Sequence, residues 1–266
     1  MALNLDLKAA LEIAAVGVRR AHAFMAIGLQ ATEGGPVKSA RLPMTFSFQV
    51  LPDPLPDELA EKITEEYQAW LTGSGLRELD LYFSLFIDRL WWIADAAELA
   101  GQRVPWDHVI GGSFDKDTNV ARKVSKVAER IGCQVSKVSY FDSLSRARNS
   151  LIHGSGQVRD RDALDGILLL RWMCPEVSMR QNGGEEIIRH DSPSMEVTDP
   201  NGAEIIMRFA EREKPFALGE KIKILPHELS EICFFYQHQA SVLIRSLEVF
   251  LRDRGMFPPT PVVAES

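Results

Sequence analysis

The sequence predicts a mainly helical bundle that carries a small antiparallel β-sheet, and three observations lead to that fold class. Residues 79–100 and 226–254 repeat apolar side chains at alternating four- and three-residue steps, as a helix with one buried face requires. Residues 157–225 change texture, with β-leaning runs separated by the turn signals Asn182-Gly183-Gly184 and Asp199-Pro200-Asn201-Gly202. The chain of 266 residues, 45% hydrophobic and 25% charged, is long and apolar enough to bury a full core.

Residues 5–29 read as a helix with Leu11, Ala15, Val18, His22 and Met25 along one side, closed by the Glu-Gly-Gly-Pro of 33–36. A lone histidine on that stripe is expected to be a packed or rim residue. At 42–51, Met44, Phe46, Phe48 and Val50 alternate with polar residues, which predicts a half-buried strand. The Pro-Asp-Pro-Leu-Pro run breaks the chain before a helix from Asp57 to Leu71, and Gly73-Ser74-Gly75 is expected to turn it into the next helix. There Leu79, Phe83, Phe86, Leu90, Ile93, Ala97 and Ala100 form the core stripe. Ser84, Asp88, Trp91 and Asp95 form a second stripe, best read as another packing contact within the chain.

Residues 101–112 read as a loop. The Asp115–Asn119 run begins like a calcium loop but puts Val120 and Lys126 where a glycine and a glutamate are required, so it is read as the turn capping a helix at 119–131. Gly132 separates that helix from the next, at 139–153. Pro226, suited to a first helical position, opens the last helix, with Leu229, Ile232, Cys233, Tyr236, Ala240, Leu243, Leu247 and Phe250 facing the core. The expected organisation is an extension at 1–56, a helical core at 57–156, an inserted β-rich region at 157–225, a completing helix at 226–256 and a mobile tail at 257–266.

Composition limits the function classes. A net charge of −7 has the wrong sign for a chain coated in nucleic acid, so any RNA contact must be local. Arg122, Lys123, Lys126, Arg130 and Lys137, set against Glu129 alone, form a patch that reads equally as a phosphate-binding or a solvated face. Three isolated cysteines argue for a reducing cytoplasm and against a zinc site. No secretory signal or membrane span is read, and no phosphate-binding glycine loop, Gly-x-Ser-x-Gly, His-Glu-x-x-His or dinucleotide fingerprint occurs. No metal or cofactor is therefore expected.

The helix at 139–153 combines periodicity with useful chemistry. Tyr140, Leu144, Ala147 and Leu151 share one face; Asp142, Arg146, Asn149 and His153 share the opposite one. Gly154 is expected to end the helix in a left-handed conformation, leaving His153 beside unpaired carbonyls. The set Arg148-Asn149-Ser150-Leu151-Ile152-His153 resembles the HEPN superfamily, whose signature is an arginine, usually followed by a polar residue, and a histidine with four to six residues between arginine and histidine. Arg103 and His108 repeat the spacing, but Pro105 makes that copy a turn.

The resemblance implies a compact helical bundle, usually dimeric, acting as a metal-independent ribonuclease in defence or stress response, or else binding nucleotide, RNA or a protein partner without catalysis. It makes Arg148, Asn149 and His153 the candidate catalytic residues, with Arg146, Arg122, Lys123, Lys126 and Arg130 as candidate RNA contacts. Ser155 stands where one branch of the superfamily has a modified tyrosine, so that style of regulation is not implied. On an ideal helix Arg148 and His153 point about 140° apart, which favours a site shared by two chains and makes Arg146 a rival cation. A plainer reading remains: Asp142 and Arg146 form an i, i+4 pair worth about 0.2–0.5 kcal/mol, and His153 merely closes a helix end.

Overall fold

Side-chain oxygens start two of the helices. Asp6 accepts from the Ala9 amide at 2.8 Å and begins α1 (Leu7–Gln30), and Asn119 accepts from the Arg122 amide at 2.8 Å and begins α3 (Val120–Arg130). The computed structural model describes residues 6–36, 39, 51–100, 114, 117–135, 137–188 and 202–256. The strand expected at 42–51, the loop at 101–112, the second Arg-His spacing and the tail lie outside the described residues, apart from Leu51. The other helices are α2 (Asp57–Leu99), α4 (Val138–His153) and α5 (Pro226–Asp253), the last with Pro226 at its first position and the Glu228 carboxylate accepting from the Leu225 amide at 2.6 Å.

The helix expected to end at Leu71 does not end there. Asp57–Leu99 is a single helix of 43 residues, and its internal glycines mark helix contacts, not a turn. A Cβ on Gly73 would stand 3.0 Å from Leu151 and Ile152 of α4; one on Gly75 would overlap the Met25 sulfur of α1 at 2.3 Å. Each interior glycine costs about 1 kcal/mol of helix propensity, and the close packing it permits offsets that. The α1 face also differs from expectation. Ala10, Ala14, Gly17, Ala21, Met25 and Gly28 are buried, while Leu11 and Val18 are half-buried and His22 is exposed at the rim. Small side chains win the interface because they let α1 approach α2 closely.

The three strands are β1 (Ile167–Gln181), β2 (Gly184–Ile188) and β3 (Glu204–Ala217), antiparallel in the order β2-β1-β3. Asn182 and Gly183, at φ of 51° and 76°, make the two-residue turn from β1 to β2 that their sequence favours. Leu168, Leu170, Trp172 and Cys174 alternate inward and join one core with Phe216 and the helices, so the sheet shares the bundle's interior. The Trp172 indole donates to Glu231 of α5 at 2.7 Å, and Lys214 pairs with Glu228 at 2.8 Å. Among the described residues β2 pairs with Val177–Gln181, and no described strand lies beside the first half of β1 on that side. At Arg171 the Ser143 hydroxyl of α4 covers that edge, accepting from the amide at 3.1 Å and donating to the carbonyl at 3.4 Å.

The core stripes expected for α2 and α5 are buried, apart from Ala100, and the second α2 stripe meets α3. Among the described residues no helix is long and apolar enough to cross a membrane.

Gly17→Ala tests which force governs the α1–α2 contact. Propensity alone predicts stabilisation by about 1 kcal/mol. The new Cβ would lie 2.3 Å from the Tyr82 Cβ, so we expect a net loss of about 1–3 kcal/mol in denaturant unfolding.

Candidate functional site

Helix α4 is held by its apolar face: Tyr140, Leu144, Ala147 and Leu151 are all buried, as their spacing predicts. Its end is more constrained than expected. Gly154 has φ −115°, not a left-handed value, and Ser155 and Gly156 take the positive φ angles instead. Glycine is required at 154 for space, since a Cβ there would lie 2.6 Å from the Gln157 carbonyl, 2.7 Å from that of Ser150 and 3.2 Å from Arg159 Cδ. The Ser150 carbonyl accepts from both the Gly154 and the Gly156 amides. Beneath it, the Ser150 hydroxyl donates to buried Asp162 at 2.9 Å, and Arg159 Nε donates to the same carboxylate oxygen at 2.7 Å. The exit of the motif helix is therefore anchored to the segment that follows it.

One turn into the bundle lies a polar node. Asp80 of α2, 3% exposed, receives the Tyr236 hydroxyl of α5 at 2.6 Å, the Ser145 hydroxyl of α4 at 2.9 Å and the Arg148 guanidinium at 2.9 Å. The other side of the Arg148 fork donates to Asn149 Oδ1, from Nη2 at 2.8 Å and Nε at 3.2 Å. Arg148 is thus oriented from two sides and keeps part of its edge open, its side chain being 26% exposed. Burial pushes the Asp80 carboxyl above its ordinary range, against the opposing pull of Arg148, Tyr236 and Ser145. Burial, with the neighbouring Asp80, also holds the Tyr236 phenol well above its usual value, so it remains a donor.

His153 is the last residue of α4, is exposed, and makes no side-chain hydrogen bond or ion pair among the described residues. Arg148 reaches to α2 while His153 stands on the polar stripe, so one chain does not aim both at a single point. Arg146 pairs with Asp142 at 2.8 Å and Asn149 is half-buried. The arrangement offers an exposed imidazole, a fixed guanidinium and an amide whose N–H donors have no partner among the described residues.

The basic residues of α3 do not form one open patch. Lys123 is buried at 3% exposure and pairs with Asp88 at 2.6 Å while donating to Ser84 at 3.0 Å. Arg130 pairs with Asp95 and, at 2.5 Å, with Glu98, and lies 4.2 Å over the Trp91 ring. The expectation that these two contact RNA is corrected: the carboxylates of the second α2 stripe take their charge. Arg122 and Lys126 stay exposed, each 3.1 Å from Asp117. Lys137 pairs with Glu211 of β3.

Asp80, Ser145 and Tyr236 were not singled out from sequence as site residues. The available signal was a tyrosine on the core face of 226–254, whose hydroxyl needs a buried partner.

The raised Asp80 pKa fixes the sign of a pH effect. A carboxyl whose folded pKa exceeds its unfolded value favours folding most below the unfolded value, near 3.8, and that contribution is lost as pH rises through the folded pKa. The stability of wild type relative to Asp80→Asn should therefore increase as pH falls through that window in denaturant titrations. Asp80→Ala, which strands Arg148, should cost about 3–5 kcal/mol near neutral pH.

No protein-family model matches the chain, and neither a curated protein nor a solved structure is detectably similar to it.

Proposed function

We propose that the chain is a HEPN-like, metal-independent endoribonuclease. The observation that carries this reading is His153, exposed and without a partner among the described residues at the end of α4, on the same helix as an arginine whose fork is held by Asp80 and Asn149. In the proposed reaction the ribose 2′-oxygen attacks the adjacent phosphorus and the bond to the 5′-oxygen breaks. One imidazole takes the 2′ proton, a protonated imidazole supplies the leaving 5′-oxygen, and Arg148 meets the charge that gathers on the phosphorane oxygens. Two chains supply two histidines and let Arg148 of one reach a phosphate beside His153 of the other, so the proposed active unit is a homodimer. Three free cysteines, two of them buried, fit a reducing cytoplasmic location.

A second reading is favoured by the Asp80–Arg148 pair itself. A guanidinium already matched to a carboxylate contributes less to a developing negative charge, and the acidic net charge points the same way. In that reading the same bundle binds nucleotide, RNA or a protein partner and performs no chemistry.

Purified protein incubated with mixed RNA in EDTA should cleave it and leave 2′,3′-cyclic phosphate and 5′-hydroxyl ends. His153→Ala should slow cleavage by about 10²–10⁴-fold. Activity that vanishes in EDTA and returns with a divalent metal, or an undiminished His153→Ala, would overturn the enzyme reading.

Mixing protomers tests the shared site. Arg148→Ala and His153→Ala should each be inactive alone, and their mixture should recover part of the activity; a monomer cleaving at full rate would exclude this arrangement.

A further inference from the structure

We infer that α2 and α4 border a single-stranded RNA groove, in which Trp70 stacks an unpaired base across from His153 and Arg77 binds a backbone phosphate farther along, level with Asn149. The inference rests on the ribonuclease reading and adds a substrate class, RNA with unstacked bases, that the motif does not specify.

Helical geometry locates the groove. Residues seven apart return to nearly the same side of a helix, so Trp70, Arg77, Ser84, Trp91 and Glu98 form one row along α2. The far half of that row lies under α3: Lys123 donates to Ser84, the Arg130 guanidinium covers Trp91, and Arg130 pairs with Glu98. Among the described residues the near half has no such cover. Trp70 is 59% exposed, and Arg77 is exposed with no ion pair or hydrogen bond among the described residues. Tyr67 braces the indole, their rings stacked at 6.3 Å and 26°.

The next row on α2 faces α4. Gly73 meets Leu151 and Ile152, and Asp80 meets Ser145 and Arg148, so the two helices run antiparallel. His153, directly after Ile152, is level with the Trp70–Gly73 turn, and Asn149 is level with Arg77. Gly156 confirms the register, because a Cβ there would lie 3.2 Å from Ala69.

Both open rows lie on the same side. Around α2, α4 sits between α5, whose Tyr236 ring meets Phe83 at 5.3 Å, and α3, which holds Ser84 and Asp88. On α4, Phe141 meets Phe235 of α5 and Ser143 meets β1, which leaves Asp142, Arg146, Asn149 and His153 facing the α3 side. Trp70 and Arg77 thus form one wall, Asn149 and His153 the other, and Gly73 with Ile152 the floor.

Charge and shape select the occupant. An exposed indole beside an unpaired guanidinium offers a π-face to a base and a cation to its phosphate, whereas bases in a duplex are already stacked. Glu66, exposed one turn before Trp70, disfavours phosphate at that end, so the strand runs from Trp70 toward Arg77.

The test uses a labelled single-stranded oligonucleotide with 2′-O-methyl riboses, which cannot attack its own phosphates, titrated into the full chain by fluorescence anisotropy. Trp70→Ala should weaken binding on the order of tenfold, and Trp70→Phe should restore most of it. Arg77→Ala should weaken binding and lower the slope of log affinity against log salt by about 0.7. Wild-type affinity in both Trp70→Ala and Arg77→Ala would overturn the groove. So would a change of Trp70→Ala from dimer to monomer in sedimentation, which would assign the surface to a second copy. Binding through Trp70 and Arg77 without cleavage by the wild type would keep the groove and reject the ribonuclease; cleavage with both variants binding normally would do the reverse.

Discussion

The architecture turns on one buried carboxylate. Asp80 collects a phenol from α5, a hydroxyl and a guanidinium from α4, and belongs itself to α2, so a single acceptor fixes the relative positions of three helices. An unpaired carboxylate at that depth would be strongly destabilising, and its three donors are satisfied only when the helices are in register. Hydrophobic burial brings α2, α4 and α5 together; the node selects one arrangement among the many that apolar faces alone would allow. Phe83, Phe141, Phe235 and the Tyr236 that donates to Asp80 form an aromatic cluster at ring separations of 4.8–5.8 Å.

The periphery uses the same physics with weaker pairs. Helix α3 is short; Val120, Val124 and Val127 bury its apolar face in the core, and beside them its cations are matched to the carboxylates of α2. Lys123 is the extreme case, an ammonium taken almost wholly out of solvent and held by Asp88 and Ser84. Where α3 stops, the α2 surface carries Trp70 and Arg77 with no such complement. The contrast between a covered half and an open half of one helical row gives that surface its functional interest. The sheet is joined to the bundle in a third way, by burying alternate β1 side chains and by lending the Ser143 hydroxyl to the backbone of Arg171.

The motif combines an immobile part and an exposed part. Arg148 is held by Asp80 and Asn149, and Asn149 follows it in sequence, so the polar residue after the arginine has a structural task. His153 stands free, but the backbone beneath it is tightly anchored through Ser150, Asp162 and the tight exit at Gly154. An oriented cation with a free imidazole on a rigid support suits catalysis by preorganisation. The same Asp80 that orients Arg148 also offsets its charge, and this tension separates the enzyme and binding readings.

Periodicity in the sequence determined the helix faces of α4 and α5, the α2 stripe from Leu79 to Ala97, the capped start of α3 and the Asn182-Gly183 turn, because each depends on residues close in the chain. It also determined the chemical identity of Arg148, Asn149 and His153. It misread Gly73-Ser74-Gly75 as a break and took Leu11 and Val18 over Gly17 and Ala21 as the face of α1. Local propensity penalises glycine, whereas the space glycine provides has value only against a partner distant in sequence. Charge patterning likewise showed five cations between 119 and 137 but not which would meet carboxylates. Lys123 lies 35 residues from Asp88, and Arg148 is farther still from Asp80 in sequence. Only the packed helices bring such groups within hydrogen-bonding distance, so the tertiary structure alone decided which charges are matched and which remain open to a ligand.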